Sequence, residues 1–275
     1  MASASWTDLA ALANRAGSTA VWPMGALEQH GPHLPLATDA IFAERVCTAV
    51  VSRLDPDLPV TQLPTQVLGF SPEHASFPGT LTLPAELLIG IVVEVGRQLA
   101  SMGFRRLVLL NAHGGQIALL QVAARQLRLK ATGLGVLPCF LWSGPESIAG
   151  LIREPERSQG LHAGLAETSL MLHLAPDLVG EERPVDGLLQ PPHAVGPPPG
   201  WQLEGAVPSA WLTEDLSRSG VIGDSRGAGA DLGASLFEAL VDGWHRRFDG
   251  LLRSDWPPLP TDSEARPGGP SSQPR

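Results

Sequence analysis

The run FRRLVLLNA, residues 104–112, constrains this chain more than any other segment. It is apolar at four consecutive positions, Leu107 to Leu110, and leads directly into NAHGGQ. A strand with one wet face alternates polar and apolar side chains, so an unbroken apolar run predicts a strand covered on both faces. Such a strand needs neighbours beside it and helices above and below. The sequence supplies both. Ser18–Met24, VTQLPTQVLG and GLGVLPCFLW read as further strands. Between them lie helical stretches at residues 7–16, from Asp39 through AIFAERVCTAVVSRL, from Pro84 to Ser101, from Ile117 to Lys130, and in HAGLAETSLMLHLAP and the segment after GDSRGAG. Strands alternating with helices predict an α/β fold, a three-layer sandwich with a central, mostly parallel sheet covered by helices on both faces. Thr38 or Asp39 is expected to cap its helix by accepting an orphan amide of the first turn.

One domain is expected over residues 1–255. Residues 181–212, rich in proline, read as an irregular excursion. Residues 256–275, rich in Pro, Gly and Ser, read as a disordered tail.

Charge and hydropathy remove several function classes. A formal net charge of -9 repels a phosphate backbone, and no Lys/Arg cluster offsets it, so nucleic acid is not an expected partner. The apolar run Leu87–Val93 is broken by Glu94 and Arg97, well short of the roughly 18 residues a membrane span requires. The N-terminus lacks the charged and apolar regions of a secretory signal. Cys47 and Cys139 lie far apart in apolar segments and read as separate buried thiols. These features together predict a cytoplasmic protein with no membrane partner.

The chemistry-bearing residues fall just after the strands. Glu28 and His30 are two apart, so in extended chain they project to the same side, offering an oxygen and a nitrogen ligand. Asp39 begins a helix facing that strand end, and His113 follows the strand ending at Asn111. Ligands of open α/β sheets gather beyond the carboxyl ends of strands. A carboxylate and imidazole set suits Zn, Mn or Fe. Spacing alone leaves a second reading equally open, with Glu28 and Asp39 as solvated loop acids and His30 and His113 satisfying backbone groups. A second constellation, HAGLAETS, places His162 and Glu167 five apart near a helix start. Glu167 is a candidate ligand there and His162 a candidate proton shuttle, against the alternative of a carboxylate favoured by the helix dipole. The loop SPEHASFPGT adds Glu73, His74 and Ser76 as candidate substrate contacts, or as groups satisfying their own loop. Trp142 is a candidate pocket wall, and His173 is assigned no role in the site.

The runs GALEQHGPHLPLATDA, SPEHASFPGT, NAHGGQ, HAGLAETS and GVIGDSRGAGADLG, in that order over about residues 20–240, resemble the creatininase family of amidohydrolases. The resemblance implies a compact α/β sandwich, a centre of two divalent metal ions, and a homo-oligomer, often a hexamer. By motif match it implies Glu28, His30, Asp39 and His113 as metal ligands, Asp39 bridging the two ions. Creatininase itself carries a ligand glutamate two residues after the motif histidine, where this chain has Gly115. That departure argues against creatinine as substrate and leaves the second ion short of a carboxylate, a place for Glu167 or a water to take, with the tally of charge favouring Glu167.

The expected activity is therefore hydrolysis of a non-peptide or cyclic amide C–N bond in a small molecule by a metal-activated hydroxide, with His162 delivering a proton to the departing nitrogen. A tyrosine cannot do so, because the chain has none. Two other readings remain open: a deformylase or peptidase acting on a biosynthetic intermediate, and a metal-binding relative without turnover. The absence of G-x-G-x-x-G after the first strand argues against a dinucleotide binder.

Overall fold

A computed structural model of the chain describes residues 1–145, 148, 150–187 and 197–258. Two apolar runs form its centre. Strands β1 (Thr19–Met24) and β3 (Arg106–Asn111) are buried at every position. They pair in parallel, Thr19 opposite Arg106 through Met24 opposite Asn111. Strand β2 (Val60–Gln62) lies outside β1 and β4 (Gly135–Phe140) outside β3, giving the all-parallel order β2-β1-β3-β4.

Side-chain alternation sorts the core into two layers. Val21, Val108 and Leu110 pack against α2 (Thr38–Arg53), α6 (Leu165–Leu174) and α8 (Ala230–Leu252). Ala20, Trp22, Met24, Leu107 and Leu109 point the other way, against α1 (Trp6–Ala13), α3 (Ala85–Ser101) and α4 (Ile117–Lys130). The expected sandwich is present, with a parallel sheet of four strands. Periodicity does not reveal one further feature, a two-residue antiparallel pair between β5 (Val185–Asp186), in the Pro-rich excursion, and β6 (Gly223–Asp224), beyond it. Two short helices, α5 (Glu156–Gln159) and α7 (Thr213–Leu216), complete the order. Residues 188–196, in the middle of the excursion, and 259–275, most of the expected tail, lie outside the described residues. Cys47 and Cys139 are free thiols, the first buried. No helix among the described residues is long and apolar enough to cross a membrane.

The connections set where a site can form. From β1 the chain passes through α2 to β2 on one side, then through α3 to β3 on the other side of β1. The two crossovers lie on opposite faces, so their loops part between the carboxyl ends of β1 and β3 and leave a crevice there. At the other end of the sheet Arg106, almost fully buried, ties the fold shut. Its guanidinium donates to the carbonyls of Gly17 (3.0 Å), Trp256 (2.5 Å) and Ser254.

Helix α8 buries Leu236, Leu240, Trp244 and Phe248 at four-residue spacing, the stripe of an amphipathic helix. It lies so close to α6 that a Cβ on Gly233 would stand 1.9 Å from the carbonyl oxygen of Ser169. A rigid backbone atom cannot yield as a side chain would. Gly233→Ala is accordingly expected to destabilise the fold by about 1–3 kcal/mol, read as a lower urea midpoint. An unchanged midpoint would show that the helices separate at no cost.

Candidate metal centre

Glu28, His30, Asp39 and His113 come together in the crevice beyond β1 and β3, each 3% exposed or less. Glu28 and His30 sit on the loop leaving β1. Asp39 is the second residue of α2. It does not cap that helix, and neither does Thr38: the N-cap is Ala37 with no side-chain bond, and the Thr38 hydroxyl donates to the Pro35 carbonyl. The carboxylate of Asp39 is turned into the site instead. His113 follows β3 by two residues, its loop held by Asn111, which accepts from the His113 amide (3.0 Å) and donates to the His113 carbonyl (2.7 Å).

Three histidines share one arrangement. The Nδ1–H of His30 donates to the Glu28 carbonyl (3.1 Å), the Nε2–H of His113 to the Phe70 carbonyl (2.9 Å), and the Nε2–H of His162 to the Gln29 carbonyl (2.7 Å). A ring nitrogen that donates to the main chain leaves the other nitrogen with a lone pair, as metal-binding histidines require. Those second nitrogens face carboxylates: His30 Nε2 lies 3.5 Å from Asp39, His113 Nδ1 3.2 Å from both Glu28 and Asp39, and His162 Nδ1 3.8 Å from Glu28.

Donor atoms gather in three overlapping groups, each within 4.8 Å: Glu28, Asp39 and His113; His30, Asp39 and Glu167; and Glu28, His30 and His162. Glu28 Oε2, His30 Nε2 and Asp39 Oδ2 are buried without a hydrogen-bond partner. Buried polar atoms are normally satisfied, so three convergent orphans of this chemistry fit a divalent cation.

Electrostatics agree. Burial opposes a charge on His30, yet Asp39, Glu167 and Glu28 overcome it and lift its pKa to about 9. Burial likewise opposes a charge on His113, and Glu28 and Asp39 raise it well above the usual histidine value. Burial would raise Asp39, but His30 and His113 hold it well below the carboxylate range. Glu167, on the first turn of α6, is pushed up to about 7, chiefly by burial, with Asp39 adding to the rise. Burial and the neighbouring His74 and His30 hold His162 well below the usual value. A neutral His162 with a bare Nδ1 accepts a proton before it can deliver one.

His162 lies ahead of α6 rather than on it, paired with Ile222 through main-chain bonds. The turn between them holds Ala163 at φ 54°, the only non-glycine with positive φ among the described residues, and its amide donates to Glu167 (2.6 Å). Backbone held in so sparse a region collects at functional sites.

The SPEHASFPGT loop divides. Glu73 and His74 line the cavity. His74 is buried deep in it rather than standing at a mouth: Gln29 and Thr213 donate to its Nδ1 (2.8 and 2.7 Å), turning Nε2–H toward Glu28 at 3.4 Å. Ser76 is exposed and is not brought to the cavity. Trp142 does line it, and His173 packs on Phe237 instead.

Three residues escaped the sequence reading. Gln29 organises both His74 and His162. Glu156, buried, accepts from the amides of Leu165 (2.7 Å) and Asp224 (2.8 Å), and so caps α6 from outside it. Glu204 reaches the cavity from the Pro-rich excursion. Gln29's place between Glu28 and His30 is the one local signal that could have found any of them.

The sequence profile "Creatininase: Creatinine amidohydrolase" matches residues 2–248. A mycofactocin precursor peptide peptidase of Mycobacterium tuberculosis is 37% identical over 246 residues, spanning 87% of this chain and 86% of the relative. A creatinine amidohydrolase of Pseudomonas putida is 29% identical over 267 residues, spanning 92% and 95%. The solved structure of creatininase Mn superposes with a TM-score of 0.72 at 25% identity, over 92% of this chain and 98% of that one.

A proton and a cation compete for the same lone pair on His30. Because its pKa lies near 9, metal uptake at neutral pH must expel that proton. Affinity for Mn²⁺ is expected to rise with pH up to about 9, tenfold per unit for each proton displaced. Calorimetry in buffers of different ionisation enthalpy should show net proton release. A pH-independent affinity would mean the ion binds elsewhere.

Proposed function

This chain belongs to the creatininase family and is a hydrolase of C–N amide bonds, and from that premise we propose a metal-dependent attack of water on a short peptide or similar open-chain amide. The observation that carries the reading is the trio of histidines, each with one nitrogen fixed by a main-chain carbonyl and the other turned toward Glu28 or Asp39. Glu28, Asp39 and His113 would hold one divalent ion, and His30, Asp39 and Glu167 a second, with Asp39 shared. Zn, Mn or Fe suits that donor set. Bound there, such an ion polarises a carbonyl and lowers the pKa of water from 15.7 toward about 7.

The remaining work falls to side chains. His162, whose Nδ1 is turned toward Glu28 by the bond from Nε2–H to the Gln29 carbonyl, is placed to take the proton released by the attacking water and return it to the departing nitrogen, which is a poor leaving group unprotonated. Glu28 is held for its role by the Nε2–H of His74, itself turned by Gln29 and Thr213. Trp142 and Phe140 wall the cavity on its apolar side. Its volume of about 520 Å³ is within the range of pockets that enclose drug-sized ligands, larger than a small cyclic amide needs. Greater identity to the peptidase than to the creatinine amidohydrolase also favours the open-chain class. A single domain, a homo-oligomer up to a hexamer and a cytoplasmic location belong to the same reading and rest on the family resemblance and the composition.

The test is metal analysis of the purified protein, then assays on cyclic amides, formamides and short peptides with and without chelator. Turnover that chelator abolishes, and that Asp39→Ala removes together with bound metal, is the expected result. An Asp39→Ala protein with full activity would sink the reading. His162→Ala should keep its metal and lose about 10²–10⁴-fold in kcat. If it loses metal instead, His162 is a ligand.

A further inference from the structure

The side of the cavity beside His113 contains a substitution between segments. A Cβ built on Gly115 would stand 1.8 Å from Glu73 Oε1 and 2.7 Å from His113 Nε2. The Glu73 carboxylate, delivered by a different loop, thus fills the space a side chain at 115 would take. It is mostly buried, with 13% of its side chain exposed, and Oε1 lies 3.4 Å from a His113 nitrogen whose proton already goes to the Phe70 carbonyl.

Of the carboxylates lining the cavity, Glu28, Asp39 and Glu167 face the metal donor groups, and Glu156 is satisfied by two amides. Glu73 and Glu204 are left over. Glu204 lines the same cavity and approaches the neighbouring residue of that loop, its Oε1 3.9 Å from the Cβ position of Gly114. Arg157 is the one Lys or Arg lining the cavity among the described residues, and it is engaged by Glu154. An acidic pair alone would identify nothing, but it opens onto the cavity where the buried, unpartnered Glu28 Oε2, Asp39 Oδ2 and His30 Nε2 converge.

We propose that Glu73, backed by Glu204, forms the subsite for an ammonium group of the substrate, placed next to the bond that is cut. Glu73 is separated from the Glu28–Asp39 pair only by the His113 ring, so the ammonium belongs on the residue whose carbonyl is attacked. The substrate class is an amide whose acyl part carries a free α-amine. Gly115 creates the space, since any larger residue there would expel the carboxylate. This inference rests on the amidohydrolase reading for the position of the reacting carbonyl.

The experiment measures calorimetric binding of L-alaninamide and of its neutral counterpart N-acetyl-L-alaninamide to the Mn²⁺-loaded protein. The wild type should bind the cationic probe at least tenfold more tightly. Glu73→Gln, nearly the same in shape, should retain its metal and lose that preference, while Glu204→Gln, more exposed, should lose part of it. Equal affinity for the two probes, no measurable binding of alaninamide, or an undiminished preference in Glu73→Gln would overturn the proposal. Failure of the hydrolase reading looks different: alaninamide would bind with the expected preference, yet no amide would be cut. Gly115→Ala provides a second route in protein shown by metal analysis to keep its Mn²⁺: displacing Glu73 should weaken the cationic probe more than the neutral one, and an equal loss for both would count against the subsite.

Discussion

Two carboxylates held side by side and almost fully buried determine the rest of this structure. Glu28 and Asp39 both approach His113 Nδ1 at 3.2 Å, and each is nearly inaccessible. Like charges so placed repel strongly in a medium of low polarity and persist only where positive charge is supplied at the same point. Protons on His30 and His113 meet that need in the protein alone, which explains why both are raised despite burial. The exchange of those protons for divalent ions links fold to chemistry.

The scaffold delivers that cluster by main-chain means. Parallel strands with crossovers on opposite faces open a crevice, and the loops above it turn their carbonyls inward to orient three imidazoles. Backbone carbonyls cannot be altered by substitution, so the histidine orientations are set by loop path rather than by other side chains. The elements that fix the path are less visible: Glu156 capping α6 from a separate segment, Ala163 in a left-handed turn, and Gln29 linking the β1 loop to Gly220 (3.0 Å).

Periodicity and turn chemistry carried the sequence reading as far as local physics reaches. The helix expected from Ile117 to Lys130 has those ends, and FRRLVLLNA is the central strand, because unbroken apolar runs and amphipathic stripes report burial directly. Glu28 and His30 do project into one crevice with Asp39 and His113. Capping chemistry misled at Thr38 and Asp39, since a carboxylate in demand across the crevice does not serve its own helix. Strand β2 shrinks to three residues, with Gln66 continuing as an isolated bridge to Met24, because Pro64 interrupts the run. Glu156, Glu204 and the β5–β6 pair depend on contacts across tens of residues in segments without periodicity, and no local pattern encodes such contacts.

Arg106 binds the carbonyls of Ser254 and Trp256 at the amino end of β3, whereas the cavity opens past its carboxyl end. A six-residue strand separates them, about 20 Å. Exposed Asp255, next to those carbonyls, therefore marks the rear of the molecule. Protein anchored to a support or carrying a fluorophore through that position would face outward with its cavity free to meet substrate.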